Sequence, residues 1–176
     1  MKKVNPMTAI AVNFNSIIDI SDEQFYQLCI HNPDTKFERH ANGEIIIMPP
    51  TGGETGKRNG DLFGQVWIWN QQQRDSTSRN EFGVSRAQTK LGEVFVSSTG
   101  YKLPNGANRS PDVSWIKTER WNSLTKKQRQ KFIPLAPDFA LELMSPSDYL
   151  RDTRSKMKEY LDNGVRLGWL INPEAK

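Results

Sequence analysis

The spacing of hydrophobic and polar positions changes several times along the chain, and each change marks an element. Ser21-Asp22-Glu23-Gln24 has the S-x-x-Q form of a capping box and predicts a short helix to about Ile30. TKFERHANGEIIIMPP has strand-like segments on both sides of Asn42-Gly43. Both turn residues tolerate positive φ, so a hairpin with a type I′ turn is expected, and Pro49-Pro50-Thr51-Gly52-Gly53 stops its second strand. From Glu54 the period becomes helical. Leu62, Val66 and Trp69 recur on one face with Phe63 and Trp67 beside them, which predicts a long helix against a sheet with its tryptophans in the core.

Strand patterning returns over residues 83–116 (GVSRAQTKL, VFVSSTGYKLPNG, SPDVSWI), with turns at Gly100 and Asn105-Gly106. TERWNSLTKKQRQKF predicts one or two short helical turns, and FALELM a buried central strand. A helix is expected from about Tyr149 to Asn163, with Leu150, Met157 and Leu161 as its inner stripe and Ser147 or Asp148 as its cap. Gly164 can end it in the left-handed conformation, and VRLGWLI is a last strand. The order predicts a mixed α/β (α+β) fold around one central mixed sheet flanked by helices.

Length and composition narrow the function classes. A chain of 176 residues suits one domain, expected over 21–176, with a tail or extension over 1–20. No run of eighteen apolar residues exists, so no membrane span is expected. MKKVNPMTAIAVNF lacks the apolar core of a signal peptide. A single cysteine, Cys29, excludes internal disulfides and cysteine zinc clusters, and the cytoplasm is the expected compartment. The net charge of +4 points mildly to a polyanionic partner. Two basic crowds stand out, Lys126, Lys127, Arg129 and Lys131, then Arg151, Arg154, Lys156 and Lys158; a solvated helix face is the commoner meaning of such runs.

Several chemistries drop out. His31 and His40 form no metal-spaced pair, and no G-x-S-x-G elbow accompanies them. The glycines of PTGGETGKRNG miss the phosphate-loop pattern because Arg58 follows Lys57. What remains is acidic. Asp112 opens the strand PDVSWI, and Glu142 stands among apolar neighbours in FALELM. Two carboxylates on adjacent strands repel unless a cation lies between them, and a hard divalent ion such as Mg²⁺ or Mn²⁺ suits oxygen ligands. A nearby lysine would complete a site for phosphodiester hydrolysis. Alternatively, Glu142 forms a buried ion pair with an arginine or lysine and does nothing else.

SSTGYKLPNG, SPDVSWI, FALELMSPSD, KMKEYLDNGV and RLGWLINPE, in this order, resemble the Uma-type restriction endonuclease family of the PD-(D/E)XK nuclease superfamily. The similarity runs from about residue 20 to the end. It implies a restriction-endonuclease-like core and a metal-dependent nuclease, with nucleic acid, chiefly duplex DNA, as partner and a homodimer by analogy. Pro111-Asp112 matches the PD element and Glu142 the second acid, which makes both metal ligands in the resemblance. Met144 stands where the superfamily has its lysine, and family members carry one on the next helix, at Lys156. Helical angle favours Lys156 over Lys158, since Lys156 flanks the inner stripe on the side of Tyr160. On that basis Lys156 is expected to matter for rate and little for fold or metal affinity. Glu54 matches a place where some members supply a further acid, and a first-turn acid favoured by the helix dipole is the other meaning. The family commonly continues with another strand after Asn172-Pro173-Glu174, so either the sequence is expected to stop short of it or that edge of the sheet is expected to be open. A protein that keeps this fold to bind nucleic acid or a partner without cleavage is the alternative.

Overall fold

The structure, a computed structural model, describes residues 9–14, 17–76 and 91–175. The first half runs β1 (Ile10–Val12), α1 (Asp22–His31), β2 (Lys36–Arg39), β3 (Ile45–Met48), α2 (Gly53–Ser76). Next come β4 (Gly92–Val96), β5 (Tyr101–Lys102), β6 (Asn108–Arg109) and β7 (Val113–Lys117). The chain continues through α3 (Thr118–Asn122), α4 (Lys126–Arg129), β8 (Phe139–Leu143), α5 (Leu150–Asp162) and β9 (Leu167–Ile171). The strand expected in GVSRAQTKL lies, except for Leu91, outside the described residues. No helix among the described residues is long and apolar enough to cross a membrane.

The architecture is mixed α/β, but the strands form two sheets where one was expected. One sheet has the order β1-β3-β2-β6-β5 and the other β4-β7-β8-β9. The break falls at Ser110-Pro111-Asp112, between β6 and β7. Pro111 has no backbone N–H and is fully buried, so a ladder cannot continue through it, and the chain crosses from one sheet to the other there. β8 pairs antiparallel with β7 and parallel with β9, as a strand–helix–strand unit requires.

Two helices sandwich the second sheet. Leu141 and Leu143 of β8 join Val113 in a cluster with Leu62, Phe63 and Val66 of α2. Ala140 points the other way, into a cluster with Met157 and Tyr160 of α5. Glu142, two residues along, shares the Ala140 face and so looks toward α5.

Several local expectations need correction. The hairpin turn is not type I′: among the described residues only glycines have positive φ, Gly43 at 88°. Gly43 N–H donates to His40 O at 2.9 Å and His40 N–H to Glu44 O at 2.8 Å, the pattern of a turn closed by a left-handed glycine bulge. Trp67 and Trp69 are half-exposed, while Leu62, Phe63 and Val66 of the same helix pack against the sheet. On α5 the inner aromatic is Tyr160, fully buried, while Leu161 is half-exposed. Neither Ser147 nor Asp148 caps α5. Tyr149 holds that position without a side-chain bond, and Asp148 accepts from Ser145 N–H at 2.7 Å. The capping box at Ser21 and Gln24 forms as expected.

Candidate active site

Continuing the β7–β8 register one step beyond Val113↔Leu141 sets Asp112 across from Glu142. Each carboxylate is fixed by a neighbour. Leu143 N–H donates to Asp112 Oδ2 at 2.9 Å, which ties the residue before β7 to the end of β8. Tyr160 O–H donates to Glu142 Oε1 at 2.7 Å, from a side chain fully buried behind it. Asp112 stands immediately before β7 and Glu142 inside β8, so both are held close to the paired strands.

α5 delivers the cation. Lys156 sits one helical turn before Tyr160, and its Nζ lies 2.9 Å from Glu142 Oε1. The same Nζ donates to Glu38 Oε1 at 2.9 Å. Lys158 is turned to solvent and pairs with Asp162 at 2.6 Å. Glu54 stays apart on the first turn of α2, highly exposed and paired with Arg58 at 3.1 Å. The residue of α2 that reaches the cluster is Asn59, five positions on. Its Nδ2 donates to Asp112 Oδ1 over a long 3.4 Å, and its Oδ1 is buried without a hydrogen-bond partner.

The cluster holds one more acid, which was not among the expected ones. Glu38 of β2 is almost wholly buried at 3% exposure. It accepts from Ser110 N–H at 2.9 Å and, through Oε2, from Arg109 Nη1 at 3.3 Å. Arg109 in turn donates to Glu159 Oε2 at 2.6 Å and to His40 Nδ1. The available signal was the pairing of Lys36 with Glu38 on one face of a short strand, opposite Phe37. That pattern equally fits a solvated hairpin face, and only the later segments at Ser110 and Lys156 bury it.

Burial and charge set the ionisation of this cluster. Burial pushes the Glu142 carboxyl up; Lys156 opposes it, while Asp112 and Glu38 push it further. Burial also pushes Glu38 up, but Lys156, Arg109 and Lys36 outweigh it and bring the group well below the ordinary range. Burial lowers Lys156, yet Glu142 and Glu38 together raise it above the ordinary lysine value, so the ammonium stays charged. His40 is lowered, first by burial and then by Arg109, and accepts from Arg109 as a neutral ring. Cys29 is pushed up to about 11 by burial, which makes the thiol inert.

The donor set suits a hard divalent ion: two carboxylates from adjacent strands and an amide oxygen with no partner. Among the described residues no group of three or more His, Cys, Asp or Glu is arranged to hold a metal. Mg²⁺ usually needs fewer, since it retains waters and binds through one or two carboxylates plus substrate phosphate.

Comparisons with known proteins bear on the family and the fold. A structural search finds a chain solved as a "putative nuclease belonging to DUF820" from Anabaena variabilis ATCC 29413. It is 18% identical, with a TM-score of 0.58, and the match covers 80% of this chain and 68% of that one, a likeness of fold. No curated protein matches the chain. The family model described as "Putative restriction endonuclease", Uma2, matches residues 22–176, from the start of α1 through Asp112, Glu142 and Lys156 to the end. With that match spanning nearly its whole length, the chain belongs to the Uma2 family.

Proposed function

We propose that this protein is a divalent-metal-dependent nuclease that hydrolyses phosphodiester bonds in DNA. The observation that carries the proposal is the meeting of Asp112, Glu142 and the charged Lys156 beside the unpartnered oxygen of Asn59. Asp112 and Glu142 would hold Mg²⁺ or Mn²⁺ beside the Asn59 amide, whose Nδ2 lies against Asp112 and whose Oδ1 is unpartnered. The ion would supply Lewis acidity toward the phosphoryl oxygen and a lowered pKa for a bound water.

The chain's own groups do the rest. Lys156 remains an ammonium, so it cannot act as a base. It can donate hydrogen bonds to the attacking water and offset negative charge that grows on the phosphoryl oxygens. Tyr160 fixes one oxygen of Glu142, and Leu143 N–H fixes one oxygen of Asp112. Preorganised donors of this kind cost no rearrangement during the reaction. A competing reading takes the 2.9 Å contact of Lys156 with Glu142 as a closed ion pair with no catalytic role.

Calorimetric titration with Mn²⁺ separates the two. The nuclease reading predicts saturable binding by the wild type and its loss in Asp112→Asn, a change that keeps an acceptor for Leu143 N–H. Equal heats from both proteins would favour the closed ion pair.

A further inference from the structure

The ammonium of Lys156 faces a conflict if Glu142 takes a divalent cation, because both positive groups would press on the same buried carboxylate. Glu38 resolves the conflict in the geometry. Its Oε1 lies as near to Lys156 Nζ as Glu142 Oε1 does, 2.9 Å in each case. Glu38 is itself rigidly held, by Ser110 N–H on Oε1 and by Arg109 on Oε2. It also comes from the other sheet, on β2, so it anchors the lysine from outside the strands that carry the two acids.

We propose that Glu38 is the positioning residue for Lys156: it provides the ammonium with a second carboxylate, so that Glu142 is free to hold a cation while Lys156 stays at the site. The proposal rests on the nuclease reading above. Without Glu38, Lys156 has among the described residues only Glu142 as an ion-pair partner and competes for it with the metal. The cost therefore reaches the metal through Lys156, and it disappears when Lys156 is absent. A purely through-space effect of the Glu38 charge would act equally in both cases.

The test is a double-mutant cycle on Mn²⁺ affinity, measured by calorimetry on full-length chains whose folding is checked by thermal melts. Glu38→Gln should weaken Mn²⁺ binding by about tenfold, the scale found when a group that supports a metal ligand is removed. In a Lys156→Met background the same change should alter affinity by less than about threefold. Glu38→Asp keeps the charge but shortens the reach, and it should weaken binding about as much as Glu38→Gln. Where cleavage is followed, kcat should fall in Glu38→Gln while KM holds.

Equal losses with and without Lys156 would overturn the proposal, as would wild-type affinity in Glu38→Asp. If Glu38→Gln does not fold, the cycle is run with Glu38→Asp. Failure of both to fold assigns Glu38 to the fold alone and also overturns it. Failure of the wild type to bind Mn²⁺ defeats the nuclease reading and this proposal with it. Binding that requires Asp112 but gives an additive cycle defeats only the role of Glu38.

Discussion

At the scale of single residues, the two sequence motifs and their supports differ in how legible they are. Asp112 and Glu142 stand out because a proline-led acid and an acid inside an apolar strand are locally anomalous. Lys156 is reachable from helical angle, given the inner stripe of α5. Glu38, Arg109 and Asn59 were not legible, since each is an ordinary polar residue until distant segments bury it. The structure also revises the expected neutrality of Lys156 toward the fold. It lies between two buried carboxylates, and removing it leaves both without the cation they share, at about 3–5 kcal/mol. Glu142 carries the opposite tension. Because the fold raises its pKa, ionisation works against folding: its stabilising contribution is full below the ordinary glutamate value near 4.3 and is lost as pH rises through the raised value. Glu38, lowered in the fold, stabilises above that ordinary value and loses its contribution as pH falls through the lowered one. Glu142→Gln should therefore match the metal-free wild type in Tm near pH 4 and exceed it at pH 8, by about 2–4 °C for each kcal/mol relieved. A lower Tm for Glu142→Gln at pH 8 in scanning calorimetry would contradict this assignment of strain to the site.

At the scale of elements, the period changes located nearly every helix and strand of the described residues, because each has one face that must be buried. Turn type and sheet membership escaped. Asn42-Gly43 allows two hairpin geometries, and the choice of the glycine bulge depends on the strand pairing beyond it. The long helix α2 matters to the site because it carries Asn59, and one buried side chain fixes its placement. Asn70 Nδ2 donates to Gly92 O at 3.1 Å, and Asn70 Oδ1 accepts from Trp115 Nε1 at 2.9 Å. This clamp joins α2 to β4 and β7 where glycine is required: a Cβ on Gly92 would lie 2.2 Å from the Trp115 ring and 2.4 Å from Ile116 O. Asn70→Leu leaves the buried Gly92 carbonyl unpaired, at about 1–3 kcal/mol, together with a part-buried Trp115 N–H that costs less. Urea denaturation should show that loss, and an unchanged midpoint would mean that α2 is held by its apolar face alone.

For the molecule as a whole, the expectation of one sheet failed at Pro111, and the failure is informative. The sheets divide where the chain passes from β6 through Ser110-Pro111-Asp112 into β7, and the candidate site is built across that division. Glu38 and Arg109 come from one sheet, Glu142 from the other, and Lys156 and Tyr160 from the helix that packs on it. Sequence order shows which residues are unusual, while this junction shows which of them meet. The most direct measurement is cleavage of plasmid, linear duplex, single-stranded DNA and RNA in Mn²⁺, comparing the wild type with Glu142→Gln, Lys156→Met and Lys158→Ala after each is checked for folding. The account predicts cleavage of DNA by the wild type and none above background by Glu142→Gln. It further predicts a rate lower by roughly two to three orders of magnitude for Lys156→Met, the cost of one preorganised electrostatic group. Lys158→Ala, which loses only an exposed pair with Asp162, should cut at close to the wild-type rate. Cleavage by Glu142→Gln equal to that of the wild type, or no cleavage of any substrate by the wild type, would contradict the account.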